Sequence, residues 1–313
     1  MLIEMRPVEL SYKILRYSGL PFLFREVLFR NVARIALFHD PGPAEAERIL
    51  AYLTRRYSII TLEHLISGRQ LPPKALVITL DDGHIGNYQL LPVFRKYGVK
   101  PTIFLTAGLV DTNRHFWFLY LSTGRAVPEL KELPNAERLK ELALAGFDQR
   151  REFADPQALQ RVHIEAMKDH VDLQSHGLFH PCLPFCSDLE AYQEINHAKE
   201  ELESRFGLHI KAFAFPNGDH GARELTMVKE AGYACAVTVD YGFNRPGHDP
   251  FRLKRLSLDD SGNVDALSVK ISGVWTILRV LARKQRLSRF AQLSRTLAAT
   301  LADLFETPLS LWS

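Results

Sequence analysis

Leu76-Val77-Ile78-Thr79-Leu80-Asp81-Asp82-Gly83 is the stretch on which the reading of this chain turns. Its first five residues, mostly apolar and partly β-branched, have the pattern of a buried strand, and two adjacent carboxylates close it before a glycine. An ionised carboxylate is costly to bury, and two side by side are costlier unless a cation or a proton shares the site. Neighbouring residues on a strand point to opposite faces, but where the chain turns at a strand end both can reach one cavity. The carboxyl ends of strands are also where α/β folds place ligands and catalytic groups. The alternative is a helix cap, with Asp82 closing the helix that follows.

Outward from this stretch, strands and helices alternate. Arg34–Phe38 reads as a first strand ending at His39-Asp40, and Ala44–Tyr57 as a helix. Ser58–Thr61 reads as a short strand, and Leu62–Ser67 as a short helix closed by Gly68. Tyr88–Tyr97 is a predicted helix stopped by Gly98, and Pro101–Thr106 the next strand. The rhythm then breaks from Asp111 to about His170, a stretch read as an insertion or lid that holds the aromatic cluster Phe116-Trp117-Phe118-Tyr120. It resumes with the strand Val171–Ser175, the helix Asp188–Phe206 stopped by Gly207, and the strand Ala212–Phe215 running into Pro216-Asn217-Gly218. A helix over Ala222–Ala231 and strands over Ala234–Val239 and Phe251–Leu258 complete the series. Such alternation implies a mostly parallel sheet or barrel.

A chain of 313 residues holds one large α/β domain or two small ones, and 46% hydrophobic with 24% charged residues is ordinary for a soluble globular protein. No charge-free apolar run reaches the roughly 18 residues of a membrane span. Glu4, Arg6, Glu9, Lys13, Arg16 and Arg25 break up the first 34 residues, so no secretory signal is expected and the predicted location is cytoplasmic. The three cysteines, Cys182, Cys186 and Cys235, suit reduced thiols. Cys182 and Cys186 have the spacing of either a zinc pair or simple packing.

The net charge of +3 is unevenly spread: residues 1–34 carry +3 and residues 269–313 carry +5, which leaves −5 on the middle of the chain. Basic ends rich in Leu, Phe and Trp suit peripheral contact with an anionic membrane, at the inner face for a cytoplasmic protein. They suit nucleic acid less well, for want of a nucleic-acid motif. The alternative is a pair of terminal helices packed on the body with solvated arginines.

Five polar sites fall at predicted strand ends: His39, Asp81-Asp82, His176 with His180, Asn217 and Arg255. In a parallel sheet or barrel all strand C-termini share one face, so these groups converge by topology. His176 and His180 stand four residues apart, a spacing that lets two imidazoles hold one metal ion. Two histidines and a carboxylate leave positions open on Zn²⁺, Co²⁺, Ni²⁺ or Fe²⁺ for water and substrate.

These residues carry a resemblance. Thr79-Leu80-Asp81-Asp82-Gly83 resembles the T-F-D-D-G motif of the polysaccharide deacetylases (the NodB-like family, carbohydrate esterase family 4). Ser175-His176-Gly177-Leu178-Phe179-His180-Pro181 is similar to its H-x-x-x-H motif, and Phe213-Ala214-Phe215-Pro216-Asn217-Gly218-Asp219 to its third motif. Order and spacing match over roughly residues 35–258, and the pattern looks most like the permuted form seen in poly-N-acetylglucosamine deacetylases. The resemblance implies a distorted (β/α)7-type barrel over residues 34–260; the helical spacing of apolar and basic residues adds amphipathic segments at 1–33 and 261–313, and the broken rhythm sets the insertion at 111–170. It implies Asp82, His176 and His180 as ligands of a divalent metal, zinc first, and Asp81 as general base. His39, in the Phe38-His39 pair, takes the role of general acid, or else is a capping or surface histidine. Pro216 and Asn217 would line the substrate pocket, with a backbone N–H near Asn217 stabilising the oxyanion.

The sequence also departs from the family. Many members carry an arginine in the third motif to orient the base, where this chain has Ala214. Arg255 either substitutes for it from a neighbouring strand end or lies on the surface; His84 either lines the pocket or is a surface residue. The implied activity is metal-dependent deacetylation of N-acetylated sugars in a polysaccharide or lipid-linked glycan. Deformylation or another amide hydrolysis of the same superfamily is the alternative, and a catalytically silent carbohydrate-binding relative the third reading.

Overall fold

Among the described residues eight strands are all parallel to their neighbours: β1 (Arg34–Phe38), β2 (Ser58–Ile59), β3 (Ala75–Leu80), β4 (Thr102–Leu105), β5 (Asp172–Ser175), β6 (Ala212–Ala214), β7 (Cys235–Tyr241) and β8 (Leu253–Ser257). The computed structural model describes residues 7–120 and 126–281. β1 pairs with β3 on one side and β8 on the other, which closes a ring of seven strands and leaves β2 outside it, against β3. The fold is the distorted (β/α)7 barrel expected from the motifs. β1 and β3 are buried at every residue, as strands covered on both faces must be.

Alternation along each strand sorts side chains between two cores. Ile35, Val77, Phe104, Ala214, Val237 and Leu253 form the cluster inside the ring. Leu80, Ile103, Leu173, Phe213 and Leu256 belong to the larger cluster beneath the surrounding helices. Thr79 and Asp81 continue the inward series of Val77, and Arg255 that of Leu253.

The helices in chain order are α1 (Pro7–Tyr17), α2 (Leu20–Leu23), α3 (Pro43–Thr54), α4 (Leu62–Ile66), α5 (Leu91–Tyr97), α6 (Val127–Lys131), α7 (Asn135–Leu144), α8 (Arg161–Met167), α9 (Asp188–Phe206), α10 (Ala222–Glu230) and α11 (Val264–Ser272). α9 shows why these boundaries fall where they do. Ser187 and Glu190 form a reciprocal capping box at its start, Ala191, Ile195, Ala198 and Leu202 give it a buried stripe, and Gly207 ends it at φ 63°. The helix expected from Tyr88 begins only at Leu91, after a 3₁₀ segment over Ile85–Leu90. The reason is Asn87, fully buried, whose amide donates to the His39 carbonyl and the Asp40 carboxylate and ties this segment to the end of β1.

The stretch read as an insertion or lid is packed against the body. Trp117, Leu130, Leu142 and Phe147 make a small core of their own, and His84 bridges to Ala158 in the antiparallel sense. At the other end of the barrel Arg34 is fully buried, with no ion pair to a carboxylate among the described residues. Its guanidinium donates to the carbonyls of Ile271 and Phe29 and lies between the Tyr57 and Phe243 rings, so it fastens the ends of two helical segments to β1. α1 lies on α11 through an Arg16–Asp265 ion pair of 2.6 Å. The expected C-terminal amphipathic segment falls outside the described residues beyond position 281.

Candidate active site

Asp81 follows β3 directly, and its N–H donates to Phe38 O, extending the pairing with β1 by one residue. Asp82 then turns to φ 72°, a left-handed conformation that brings the second carboxylate to the same cavity as the first. Gly83, at φ 71°, is in the left-handed region that strains any residue with a side chain, and a Cβ there would displace the Leu105 side chain, 2.7 Å from its Cδ2. Asp82, His180 and Asn217 are three of the five non-glycine residues with positive φ among those described. Strained backbone of this kind persists where the surrounding structure holds it, and here it collects at one end of the barrel.

The Nε2 atoms of His176 and His180 converge on Asp82 Oδ1, at 3.5 and 3.4 Å. Four donors at about 2.1 Å from one tetrahedral ion would lie about 3.4 Å apart, so this set has the spacing of a metal site. Two further observations fit a cation. Asp82 Oδ1 is buried and has no hydrogen-bond donor, and the three ligand atoms lie within 4.8 Å of one another. His176 Nδ1 lies 2.8 Å from Ala214 O, a bond that makes Nδ1 the donor and leaves the Nε2 lone pair facing the site. Burial pushes His180 down to about 3, so its ring is neutral, as a metal ligand must be.

Asp81 lies beside this set, its Oδ2 3.7 Å from His176 Nε2. Arg255 is fully buried beneath it: Nη1 donates to Asp81 Oδ1 at 2.7 Å, Nη2 to Oδ2 at 2.8 Å, and Nε to Thr238 O at 2.8 Å. Burial alone would raise the Asp81 pKa, but the field and hydrogen bonds of Arg255 outweigh it and hold the carboxyl below its usual range. Arg255 is therefore a buried partner of Asp81 and no surface residue. The inward positions of β6 are Ala212 and Ala214, and such small side chains leave barrel volume for an arginine from another strand.

His84 also resolves to the pocket: it is largely buried, with Nε2 3.2 Å from Asp82 Oδ2. His39 is exposed at the end of β1, close enough for its charge to act on Asp81. Its backbone is pinned by its N–H to Asp260 and its carbonyl from Asn87. Pro216 is buried, and Asn217, at φ 56°, donates its amide to Cys182 Sγ at 3.3 Å, linking the Pro216–Gly218 turn to the segment after His180. Burial pushes the Cys182 and Cys186 thiols up to about 11 and about 12, and neither joins a metal-ligand group among the described residues. Both are buried as free thiols.

Two positions to which sequence reasoning assigned no part in the site hold the His176–His180 segment. Glu194 on α9 is buried and its Oε2 accepts from the N–H groups of Leu178 and Phe179 at 2.7 and 2.9 Å. A glutamate on the apolar stripe of Ala191, Ile195 and Ala198 was the available signal. Trp117, from the 111–170 stretch, donates Nε1–H to His180 O at 2.8 Å, and the Arg138 guanidinium lies over its ring.

The sequence profile of the polysaccharide deacetylases matches residues 68–236, from before the Asp81-Asp82 pair to within β7. The chain belongs to the polysaccharide deacetylase family. A Bacillus subtilis relative, YxkH, whose name places it with the polysaccharide deacetylases, is 21% identical over 211 residues, which is 67% of this chain. The match spans 61% of the length of that relative. The solved Streptococcus pyogenes deacetylase PplD is similar in fold at a TM-score of 0.55 and 17% identity, over 76% of this chain and 98% of that one. IcaB from Ammonifex degensii is similar at a TM-score of 0.56 and 16% identity, over 77% and 97%. The deacetylase domain of Bordetella bronchiseptica BpsB is similar at 0.53 and 15%, over 73% and 96%. At such identities the likeness speaks for the barrel. Within it, the deacetylase motifs of this chain all lie at the C-terminal ends of β3, β5 and β6.

Proposed function

We propose that this chain is a metal-dependent hydrolase that removes acetyl groups from N-acetylated sugars of a polysaccharide or a lipid-linked glycan in the cytoplasm. The observation that carries the reading is the Asp81–Arg255 pair set directly beside the Asp82, His176 and His180 donors. A general base and a metal site share one buried wall, which is the equipment for delivering water to an amide carbonyl.

Asp82, His176 and His180 would hold a divalent ion, Zn²⁺ first, with Co²⁺, Ni²⁺ and Fe²⁺ compatible with the same donors. Such an ion supplies Lewis acidity towards the carbonyl and lowers the pKa of water towards about 7. Asp81 accepts the proton of the attacking water. Its pairing with Arg255 makes it a weaker base than a free carboxylate, but keeps it ionised at neutral pH and fixed in direction by the fork. The backbone at Asn217 contributes an N–H to the carbonyl oxygen as it gains charge. His39, free to reach a substrate from its exposed position, donates a proton to the leaving nitrogen as the carbon–nitrogen bond breaks. Water and amide are consumed, and acetate and a free amino sugar are released. PplD, one of the structures of like fold, was solved with acetate, the product this reaction would give.

The test is acid release from a panel of N-acetyl and N-formyl sugars, free, oligomeric and lipid-linked. Acetate from at least one N-acetyl substrate, abolished by Asp81→Asn, is the expected result. Formate alone would move the reading to a deformylase, and no acid from any of them would reject the hydrolase.

A further inference from the structure

We propose that the layer formed by α1, α2 and the residues just after α11 is a docking face for an anionic lipid surface. Among the described residues, more than half of the exposed large apolar side chains lie in residues 8–28 and 277–281. Phe22, Val27, Leu28, Ile14 and Tyr17 are each more than half exposed, from 57% for Leu28 to 71% for Tyr17. Single exposed apolar residues are normal on a soluble protein, but a concentration of this kind marks an interaction surface.

Charge selects the occupant. Lys13, Arg30 and Arg279 are exposed on the same segments. Of the acidic residues there, Glu9 is partly buried and Glu26 is enclosed by Arg25, Lys74 and Arg30. The chain then continues with Arg283, Lys284, Arg286 and Arg289 and has no acidic residue before Asp303. Apolar side chains interleaved with cations, and no exposed anion among the described residues of these segments, fit a membrane of anionic headgroups. A second copy meeting this face symmetrically would bring like charges together.

The layer is held firmly enough to act as a platform. Arg16 pairs with Asp265, the Tyr12 and Trp275 rings meet at 5.7 Å, and Arg34 fastens Phe29 and Ile271 to the barrel. None of the residues assigned to the metal site or to proton transfer lies in it. The face and the chemistry are therefore separable.

The experiment is co-flotation of the full-length chain with vesicles of phosphatidylcholine alone and of phosphatidylcholine mixed with phosphatidylglycerol, at low and high salt. Light scattering measures mass in parallel. The expected result is partition onto the phosphatidylglycerol vesicles, weakened by salt and reduced on the order of tenfold or more by Phe22→Asp with Val27→Asp. Circular dichroism should show that variant folded, since both positions are exposed. Absence from phosphatidylglycerol vesicles overturns the proposal: a doubled mass then assigns the face to a second copy, and an unchanged mass to cover by the chain's own residues. Partition that is equal on both vesicles, or indifferent to the double substitution, overturns it as well. None of these outcomes depends on whether the chain hydrolyses an amide.

Discussion

The Arg255 guanidinium grips the Asp81 carboxylate through two parallel hydrogen bonds, 2.7 and 2.8 Å long, with both side chains buried. β8 supplies the arginine and the turn directly after β3 the aspartate, 174 positions apart in the chain. The bond exists because the barrel closes.

Removing one member of this pair should be severe. Arg255→Ala leaves a buried carboxylate without its partner, at an expected loss of about 3–5 kcal/mol. Arg255→Lys keeps the charge but not the fork, and should lose on the order of a hundredfold in kcat while remaining folded. The pH sign follows from the lowered Asp81 pKa: the pair contributes its stability above the unfolded carboxylate value of about 3.9 and loses it as pH falls through the lower folded value. Denaturant unfolding of wild type and Asp81→Asn should therefore differ most at neutral pH and converge in acid.

His39→Gln tests the proposed acid. Its exposed side chain predicts little change in stability, and as it is not one of the three grouped ligands it predicts full metal content. The kcat for an unactivated N-acetyl sugar should fall by about 10²–10⁴. An acyl substrate whose leaving group needs no proton should lose much less, which separates proton donation from a general loss of the site.

Trp117→Phe removes one N–H and keeps an aromatic ring. His180 O then loses its 2.8 Å donor while its backbone stays at φ 58°. The expected cost is about 1 kcal/mol in stability and 10–100-fold in metal affinity, read by competition with a chelating dye. Unchanged affinity would reduce Trp117 to packing.

Glu194 carries a pH signature of opposite sign to Asp81. Burial pushes its pKa up to about 7, against about 4.3 in an unfolded chain. Its contribution is fully present below the unfolded value and is lost as pH rises through the folded one. Wild type should therefore lose stability relative to Glu194→Gln between about pH 4 and pH 7. Glu194→Ala, which orphans the Leu178 and Phe179 N–H groups, should be less stable at every pH by about 1–3 kcal/mol.

Much of this architecture is legible in the sequence, because the strands are apolar runs that end in unusual polar residues. Asp81-Asp82, His176 and His180 stand out against Leu80 and Ser175, and parallel topology then places them on one face. The role of Arg255 is not legible in that way. Whether it faces water or the barrel depends on β8 meeting β1, and no local periodicity states which strands close a ring. His84 is ambiguous for a similar reason: its bond to Asp82 depends on the turn at Asp82 itself. The late start of α5 reflects one side chain, Asn87, tied to a carbonyl far away in sequence. Glu194 shows the converse, a signal present in the apolar stripe of α9 that pattern reading treats as a solvated charge.

The central claim is that Asp82, His176 and His180 hold a divalent ion while Asp81 moves a proton. Metal content by inductively coupled plasma spectrometry, after incubation with zinc and removal of the excess, tests it on wild type and four variants. One equivalent is expected for wild type and for Asp81→Asn, the latter without turnover, and less than about a tenth for Asp82→Ala, His176→Ala and His180→Ala. A full equivalent retained by the three ligand variants, or none bound by wild type, would contradict it.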